Sequence, residues 1–536
     1  MDKKENPSFS KIASSASIVS VAVMFSRVMG LIREATLAHL YETKLSLDAF
    51  YAAYRIPNLF RDLFAEGDLS KAFIAIFTDV ETKSGEKSAW RLASLVFNSL
   101  TVILLIITTM GIVFAPSIID LFFMGKGFDT PLPSDSSFGF ANKRQLTVYL
   151  TRIMFPFLLL VSLSAIAMGL LNTKGRFAVP AFAPSLFNVG SVLLAILGYY
   201  FAPKIGQHPV TGAAFGVLFG GVLQFVIQIP SMHQVGFRYK PILEFNDPDL
   251  KRILKLIAPA ILSSSAMQIS VFINSYFASQ FDGWLSWITI AFRIMYLVVG
   301  VIGVAFSTAT LPVLSRYISE GSIDKFRDTF SYALKMIFIL AIPASAGLIS
   351  LSEPIISIVF KHGAFSEYDT QQSAGALVCY AFGLCGYSGF KIARDGFYAI
   401  KNIRIPVIIS LFTVGLNALL NYIFIFRLGF DHRSLAISTS CSITLNFILV
   451  LFFLWRRIRG FDGYGIMITF AKSLIASIAM GIFASYIYKL FSFLGGNNSL
   501  FISIFLSIFF LYMSYMILKV NEFRQMLRVI IRKISR

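Results

Sequence analysis

Apolar stretches of membrane-crossing length follow one another from residue 13 to residue 519 at intervals of about 25–40 residues, and no water-soluble core buries so many of them. A helix crosses the hydrocarbon with roughly 20 apolar residues. The stretches fall near 13–40, 46–80, 88–122, 145–170, 179–203, 210–233, 249–280, 285–318, 328–358, 370–400, 404–427, 432–458, 464–491 and 497–519. Fourteen crossings put both termini on one side. Several stretches exceed the minimum length and contain Pro or Gly, so bends and extensions beyond the bilayer are expected. Charged residues make up 14% of the chain, against about 25% in soluble domains. The first stretch is too long for a cleavable leader and is interrupted by Arg27 and Arg33. The fold class is therefore an all-α polytopic membrane protein with 14 transmembrane helices.

The formal net charge of +19 would suggest nucleic acid in a soluble protein. Here the cations sort by side. The N-terminus, the even-numbered loops and the tail after Lys519 hold about three times as many Lys and Arg as the opposite loops. That bias places both termini in the cytoplasm and absorbs the charge without a nucleic-acid partner. The basic, mildly amphipathic tail 521–536 reads as a membrane-surface anchor.

The chain repeats itself. Ala53-Tyr54-Arg55-Ile56 matches Ala291-Phe292-Arg293-Ile294, and at the same spacing Pro116 matches Pro354 and Gly125 matches Gly363. Gly169 pairs with Gly396 and Pro180 with Pro406 at a slightly shorter spacing, as a longer loop near 129–143 in the first copy requires. Two six-helix lobes, 1–236 and 237–460, followed by two extra helices and a tail, 461–536, account for this. Such repeats place a substrate pathway at their interface.

Charges inside membrane helices cost several kcal/mol unless paired or hydrated, which makes each a functional candidate. The first stretch carries Arg27 and Arg33, the second Asp48, Arg55, Arg61, Asp62, Glu66 and Asp68, and the eighth Arg293. Residues six apart on a helix differ by about 120° in direction, so each pair of arginines lines a broad wall. Guanidinium forks stay charged and bind phosphate in bidentate fashion, which suits an anionic ligand in a hydrated cavity. Any one arginine also has a structural reading. Asp62 and Glu66 are placed to neutralise a neighbour, and Arg61 to snorkel. Arg33 and Glu34, adjacent in sequence, are expected to diverge and pair poorly.

Asn274, Asn417, Asn421 and Thr439, with Gln268 and Thr444, are candidate ligands for a coupling ion, although membrane amides more commonly bond helix to helix. Gly216 and Gly220 form a small-residue motif for close helix packing. Cys379, Cys385 and Cys441 sit in apolar stretches without metal or disulfide spacing, and the five histidines are scattered. No metal site, phosphate-binding loop or nucleophile motif appears, which argues against an enzyme.

The run Ser26-Arg27-Val28-Met29-Gly30-Leu31-Ile32-Arg33-Glu34 is distinctive, as are Asp48-Ala49-Phe50, Arg55-Ile56-Pro57-Asn58-Leu59-Phe60-Arg61 and Phe64-Ala65-Glu66-Gly67 with Ser70, Ala72 and Phe73. Asn172, Arg176-Phe177, Pro180-Ala181-Phe182-Ala183-Pro184, Asn188 and Gly396-Phe397-Tyr398-Ala399 complete the set. From Ser26 to about Arg459 the chain resembles the bacterial lipid II flippase family, the MurJ/MviN proteins of the multidrug/oligosaccharidyl-lipid/polysaccharide exporter superfamily.

The resemblance implies two lobes around a central cavity in the bacterial cytoplasmic (inner) membrane. It implies movement of the undecaprenyl-pyrophosphate-linked peptidoglycan precursor to the outer leaflet, in the service of cell-wall biogenesis and cell shape. Positions matching Arg27, Arg33, Arg61 and Arg293 then engage the pyrophosphate, Glu34 belongs to the same group, and Asp48 is functional. The last two helices supply a groove for the lipid tail. Membrane lipids and cell-wall synthesis proteins are the other partners. No cofactor is implied, and coupling is to membrane potential or a monovalent cation. The chain departs from the family pattern at Glu34, where many members have Asp, and at Ala75, where Pro is common. Phe292 and Tyr296 stand where some members have acids, and the family's acidic sodium ligands have no clear match. The alternatives are an exporter of another polyprenyl-linked glycan, a drug or cation antiporter, and an envelope scaffold without transport. An antiporter calls for uncompensated carboxylates rather than arginines, and a scaffold leaves four intramembrane arginines unexplained.

Overall fold

A computed structural model describes residues 7–64, 68–133 and 138–534. Side chains at 7–20, 60, 62–64, 68–72, 256–267, 527 and 529–534 lie outside that description. So do those of Asp62, Glu66 and Asp68, which the sequence singled out, and of the end of the basic tail 521–536.

The regular elements among the described residues are all helices, with one isolated antiparallel bridge between Pro131 and Asn142. The helices are α1 (Pro7–Leu40), α2 (Asp48–Phe64), α3 (Asp68–Ser84), α4 (Glu86–Val113), α5 (Ala115–Phe122), α6 (Lys143–Met154), α7 (Phe157–Thr173), α8 (Ala178–Phe201), α9 (Thr211–Val226), α10 (Ile229–Gln234) and α11 (Pro248–Ala278). They continue as α12 (Trp284–Val299), α13 (Ala305–Ser319), α14 (Ile323–Ser350), α15 (Ser352–Phe360), α16 (Glu367–Ala381), α17 (Leu384–Ala399), α18 (Arg404–Tyr422), α19 (Arg433–Arg457), α20 (Gly463–Leu490), α21 (Gly496–Ile517) and α22 (Asn521–Ile534).

Among the described residues ten helical segments are long and apolar enough to cross a membrane, or eleven if α16 and α17, bent by 41°, form one span. The expected stretches 13–40, 46–80 and 249–280 are also helical, as α1, α2 with α3, and α11.

The chain forms two compact units, Met1–Ser286 and Trp287–Arg536. Each breaks its helices at matching places. In the first, α4 gives way to short α5 at Phe114. In the second, α14 gives way to short α15 at Leu351. Pro116 and Pro354 stand in the opening turns of those short helices, where a missing N–H costs nothing. Likewise α6 and α7 correspond to α16 and α17, each pair interrupted after about three or four turns. Compactness divides the chain at Ser286, whereas the repeat starts its second copy at 237. The difference is α11, which packs on α2, α3 and α4. In the second unit α20 packs on α14 and α21 on α20.

Helices α8 and α9 meet backbone to backbone. A Cβ at Gly216 would stand 2.6 Å from the Ser191 carbonyl oxygen, and one at Gly220 would stand 2.4 Å from that of Phe187. The close packing expected of this motif is what the first unit uses here. In the turn between the two helices His208 is buried. Its Nδ1 accepts the Val210 N–H at 3.3 Å, and its ring meets Phe138 edge-on. Lys174, after α7, bonds the carboxylates of Glu81 and Glu86. Partial burial on its own lowers the ammonium's pKa, but the two carboxylates outweigh this and raise it above the ordinary lysine value.

Candidate functional site

Arg33 and Glu34 leave α1 in different directions, yet the Arg33 Nη2 reaches the Glu34 Oε1 at 2.7 Å. The expectation that these neighbours pair poorly is wrong. The long guanidinium stem spans the angular gap, and both groups are almost fully buried, at 7% and 2% exposure. Leaving either unpaired there would cost more than bending toward the other. The Tyr51 hydroxyl on α2 donates to the other Glu34 oxygen at 2.6 Å. The guanidinium also lies 5.3 Å from the Phe187 ring and 5.9 Å from that of Tyr54. Arg33 therefore sits in an aromatic-walled cradle that is neutral overall. Its Nε is buried without a hydrogen-bond partner among the described residues. A guanidinium has five N–H donors, and this one is unspent.

Arg27 is half-buried six residues earlier on α1, and Arg61 is half-buried near the end of α2. Arg55, the residue equivalent to Arg293 in the repeat, donates to the Val271 carbonyl at 3.4 Å and to the Ser275 hydroxyl on α11. Asn274 is buried on the same helix. Arg55 thus ties α2 to α11.

Asp48 is fully buried at the start of α2. It accepts the backbone N–H of Gly283 and of Ser286, each at 2.8 Å, and the Ser286 hydroxyl at 2.6 Å. It thereby caps the first turn of α12, where orphan N–H groups and the helix dipole favour an anion. The Lys143 ammonium, also fully buried, lies 3.2 Å from Asp48, 2.6 Å from Asp282 and 2.8 Å from the Lys44 carbonyl. The sequence pointed to Asp48 but treated Lys143 as a loop charge. Its position at the first residue of α6, after a loop long enough to fold back, was the signal that it need not face water.

In the second unit Arg293 is exposed on α12. Beside it Phe292 and Tyr296 stack at 5.3 Å, and Tyr387 closes on both. One turn of α17 bears charges that the sequence reading passed over. The Lys391 ammonium lies 5.8 Å from the Tyr296 ring, and the Arg394 guanidinium lies 5.3 Å from Tyr398 and 5.9 Å from Phe390. Asp395 is buried and accepts the Ser307 hydroxyl. The cost argument that flagged Arg293 applies equally to a Lys, an Arg and an Asp within the stretch 370–400.

Of the candidate ion ligands, Asn417, Asn421 and Thr439 come together. Asn417 donates to Thr439 at 3.5 Å and Asn421 to Asn417 at 3.5 Å, while Ser438 donates to Asn421. The bonds of Asn417 to Thr439 and of Ser438 to Asn421 join α18 to α19, while the Asn421–Asn417 bond lies within α18. Asn274 lies in the other unit. Among the described residues no group of three or more His, Cys, Asp or Glu side chains is placed to hold a metal ion.

A family model described as "Lipid II flippase MurJ" matches residues 37–506. A probable lipid II flippase MurJ of Buchnera aphidicola subsp. Acyrthosiphon pisum is 33% identical, over 82% of this chain and 83% of its own length. The lipid II flippase MurJ of Burkholderia cenocepacia is 34% identical, again over 82% of this chain and 83% of its own. A solved structure of lipid II flippase MurJ in an inward closed conformation superposes with a TM-score of 0.74 at 26% identity, covering 95% of this chain and 99% of that one. A multidrug resistance MATE family transporter of the MOP superfamily, inward-facing, shares the fold with a TM-score of 0.68 at 17% identity, over 83% of this chain and 98% of its own. The extent of the family match and the identity to its members show that this chain belongs to the lipid II flippase MurJ family.

Proposed function

We propose that this protein moves lipid II, the polyprenyl-pyrophosphate-linked peptidoglycan precursor, from the inner to the outer leaflet of the bacterial cytoplasmic membrane. The observation that carries the reading at this chain's own residues is the Arg33 cradle. It is a membrane-buried guanidinium with a carboxylate on one side, aromatic rings around it and a donor unspent. Arg27, Arg61 and Arg293 are the further cations for the pyrophosphate, and Glu34 and Asp48 set the local charge. The headgroup passes through a hydrated path while the polyprenyl tail stays in lipid, by alternating exposure of the arginines to the two sides. A potential negative inside favours outward movement of the anion by about 2.3 kcal/mol per charge per 100 mV. Asn417, Asn421 and Thr439 serve α18–α19 packing in this reading, which leaves the potential as the driving force. The chain crosses the membrane 14 times with both termini in the cytoplasm.

The decisive experiment depletes the wild-type protein and supplies Arg33→Ala, Arg61→Ala or Arg293→Ala. Loss of growth with lipid II accumulating in the inner leaflet, at normal membrane levels of each variant, is expected. Full growth with all three would end the pyrophosphate-capture reading. For the topology, a Ser136→Cys variant in a cysteine-free background should react with an impermeant thiol reagent in intact cells. Reaction only after lysis would reverse the assignment.

A further inference from the structure

Between α10 and α11 the chain runs without helix from 236 to 247, laid along α4 as a strap. Its attachments to α4 come from one face of that helix. The Ser94 hydroxyl accepts the Lys240 N–H at 3.2 Å, and the Asn98 amide donates to the carbonyls of Lys240 and Ile242, each at 2.8 Å. The Tyr239 hydroxyl donates to the Asn98 side-chain oxygen at 2.7 Å. Phe237 is buried against Trp90 and Phe97, and Ile242 packs on the same cluster. Irregular backbone survives beside lipid only where protein satisfies its polar groups, and Ser94 and Asn98 do so.

The outward face of the strap has a definite chemistry. Tyr239, Leu243 and Phe245 are exposed at 59%, 48% and 47%. Arg238, Lys240 and, just beyond, Lys251 are exposed among them. The acids of the segment are already taken. Arg91 on α4 holds Glu244 at 2.6 Å and Asp247 at 3.2 Å, while Arg252 holds Asp249 at 2.9 Å. Arg238 bonds only the His233 ring and Lys251 only the Asn246 amide, and Lys240 has no ion pair among the described residues. The surface that remains is cationic, interleaved with apolar and aromatic side chains.

We propose that this strap binds the headgroup of an anionic phospholipid, with Arg238, Lys240 and Lys251 on its phosphate and Tyr239, Leu243 and Phe245 among the acyl chains. Cations next to an interfacial aromatic belt hold anionic lipid. An acidic soluble partner would not repay the exposed Leu243 and Phe245. The site is separate from the arginines assigned to the carried precursor, so the inference stands whether or not lipid II is the cargo.

The test is native mass spectrometry of the purified full-length protein, titrated separately with phosphatidylglycerol and phosphatidylcholine. Wild type should retain phosphatidylglycerol in preference to phosphatidylcholine. An Arg238→Gln/Lys240→Gln double variant should bind phosphatidylglycerol about 25-fold more weakly, at about fivefold per surface cation, with phosphatidylcholine unchanged. Both side chains are exposed, so the variant folds. Unchanged phosphatidylglycerol binding in the double variant would overturn the proposal. So would displacement of phosphatidylglycerol by inorganic phosphate at equal concentration, which would mark a plain anion site rather than a lipid site.

Discussion

Replacing Lys143 by Met keeps a side chain of similar length at the head of α6 and removes one ammonium. That ammonium serves three acceptors at once, Asp282 at 2.6 Å, the Lys44 carbonyl at 2.8 Å and Asp48 at 3.2 Å, with no solvent exposure. Without it, Asp48 keeps the Gly283 and Ser286 donors and Asp282 keeps the Thr130 hydroxyl at 2.9 Å. Two carboxylates that shared one cation are then left with none. Removing one partner of a buried pair costs about 3–5 kcal/mol, mostly as the penalty on the stranded charge. The measurement is unfolding in mixed micelles with rising dodecyl sulfate, followed by helical circular dichroism. Lys143→Met should lose stability in that range. Asp48→Asn/Lys143→Met, which strands one charge fewer, should be more stable than the sum of its single variants by roughly 0.5–3 kcal/mol. If Lys143→Met falls within about 0.5 kcal/mol of wild type, the size of an ordinary surface substitution, the charge argument for this cluster is refuted.

Glu34→Gln leaves Arg33 as an uncompensated cation, so lipid II affinity should rise while the rate of flipping in proteoliposomes falls. A drop in affinity would contradict the assignment of Glu34 as a counter-charge. Arg55→Gln should lower the amount of folded protein by loosening α2 from α11, whereas Arg293→Gln should leave that amount intact and abolish complementation. The opposite pattern would move the ligand site toward Arg55. Burial pushes the His208 pKa from 6.5 down to about 4, so below pH 6.5 the unfolded chain binds a proton that the folded chain refuses. Stability should therefore fall as pH drops from 6.5 toward 4, by up to about 3 kcal/mol, and His208→Gln should flatten that part of the pH profile measured by the same unfolding assay.

What the sequence made legible was whatever depends on transfer from water. The positions of the apolar stretches, the general expectation of bends where they carry Pro or Gly, and the cost of Arg33 or Arg293 at depth are all set by a residue's own chemistry and its place along the chain. Contacts between distant segments were not legible in that way. Lys143 counted as an outside cation because its loop lies between two crossings, yet the loop folds back and seats it between Asp48 and Asp282. At Gly383 and Gly386, beside the bend between α16 and α17, α19 comes so close that a Cβ would meet Ser440 and Thr444, a long-range approach that the glycines alone do not announce. The residues of α17 are a different case. Lys391, Arg394 and Asp395 stood in plain view, and the rule that singled out Arg293 selects them too.

The Arg33–Glu34 pair changes what an arginine in a carrier is for. A lone buried guanidinium would hold a pyrophosphate tightly, because the desolvation of both charges would be recovered only in the complex. Tight binding to one state stalls a carrier, which must release what it captures. Glu34, held in place by Tyr51, satisfies part of the guanidinium in the absence of cargo. If Arg33 holds the cargo as proposed, an arriving anion would gain the Nε donor and whatever bonds it exchanges with the carboxylate, rather than the full attraction of a bare cation. The empty state is thereby made more stable and the loaded one less exclusive, which lowers the gap between capture and release. Adjacent residues on one helix are well suited to this role. Their backbones move together, so the counter-charge stays within reach of the arginine wherever α1 goes.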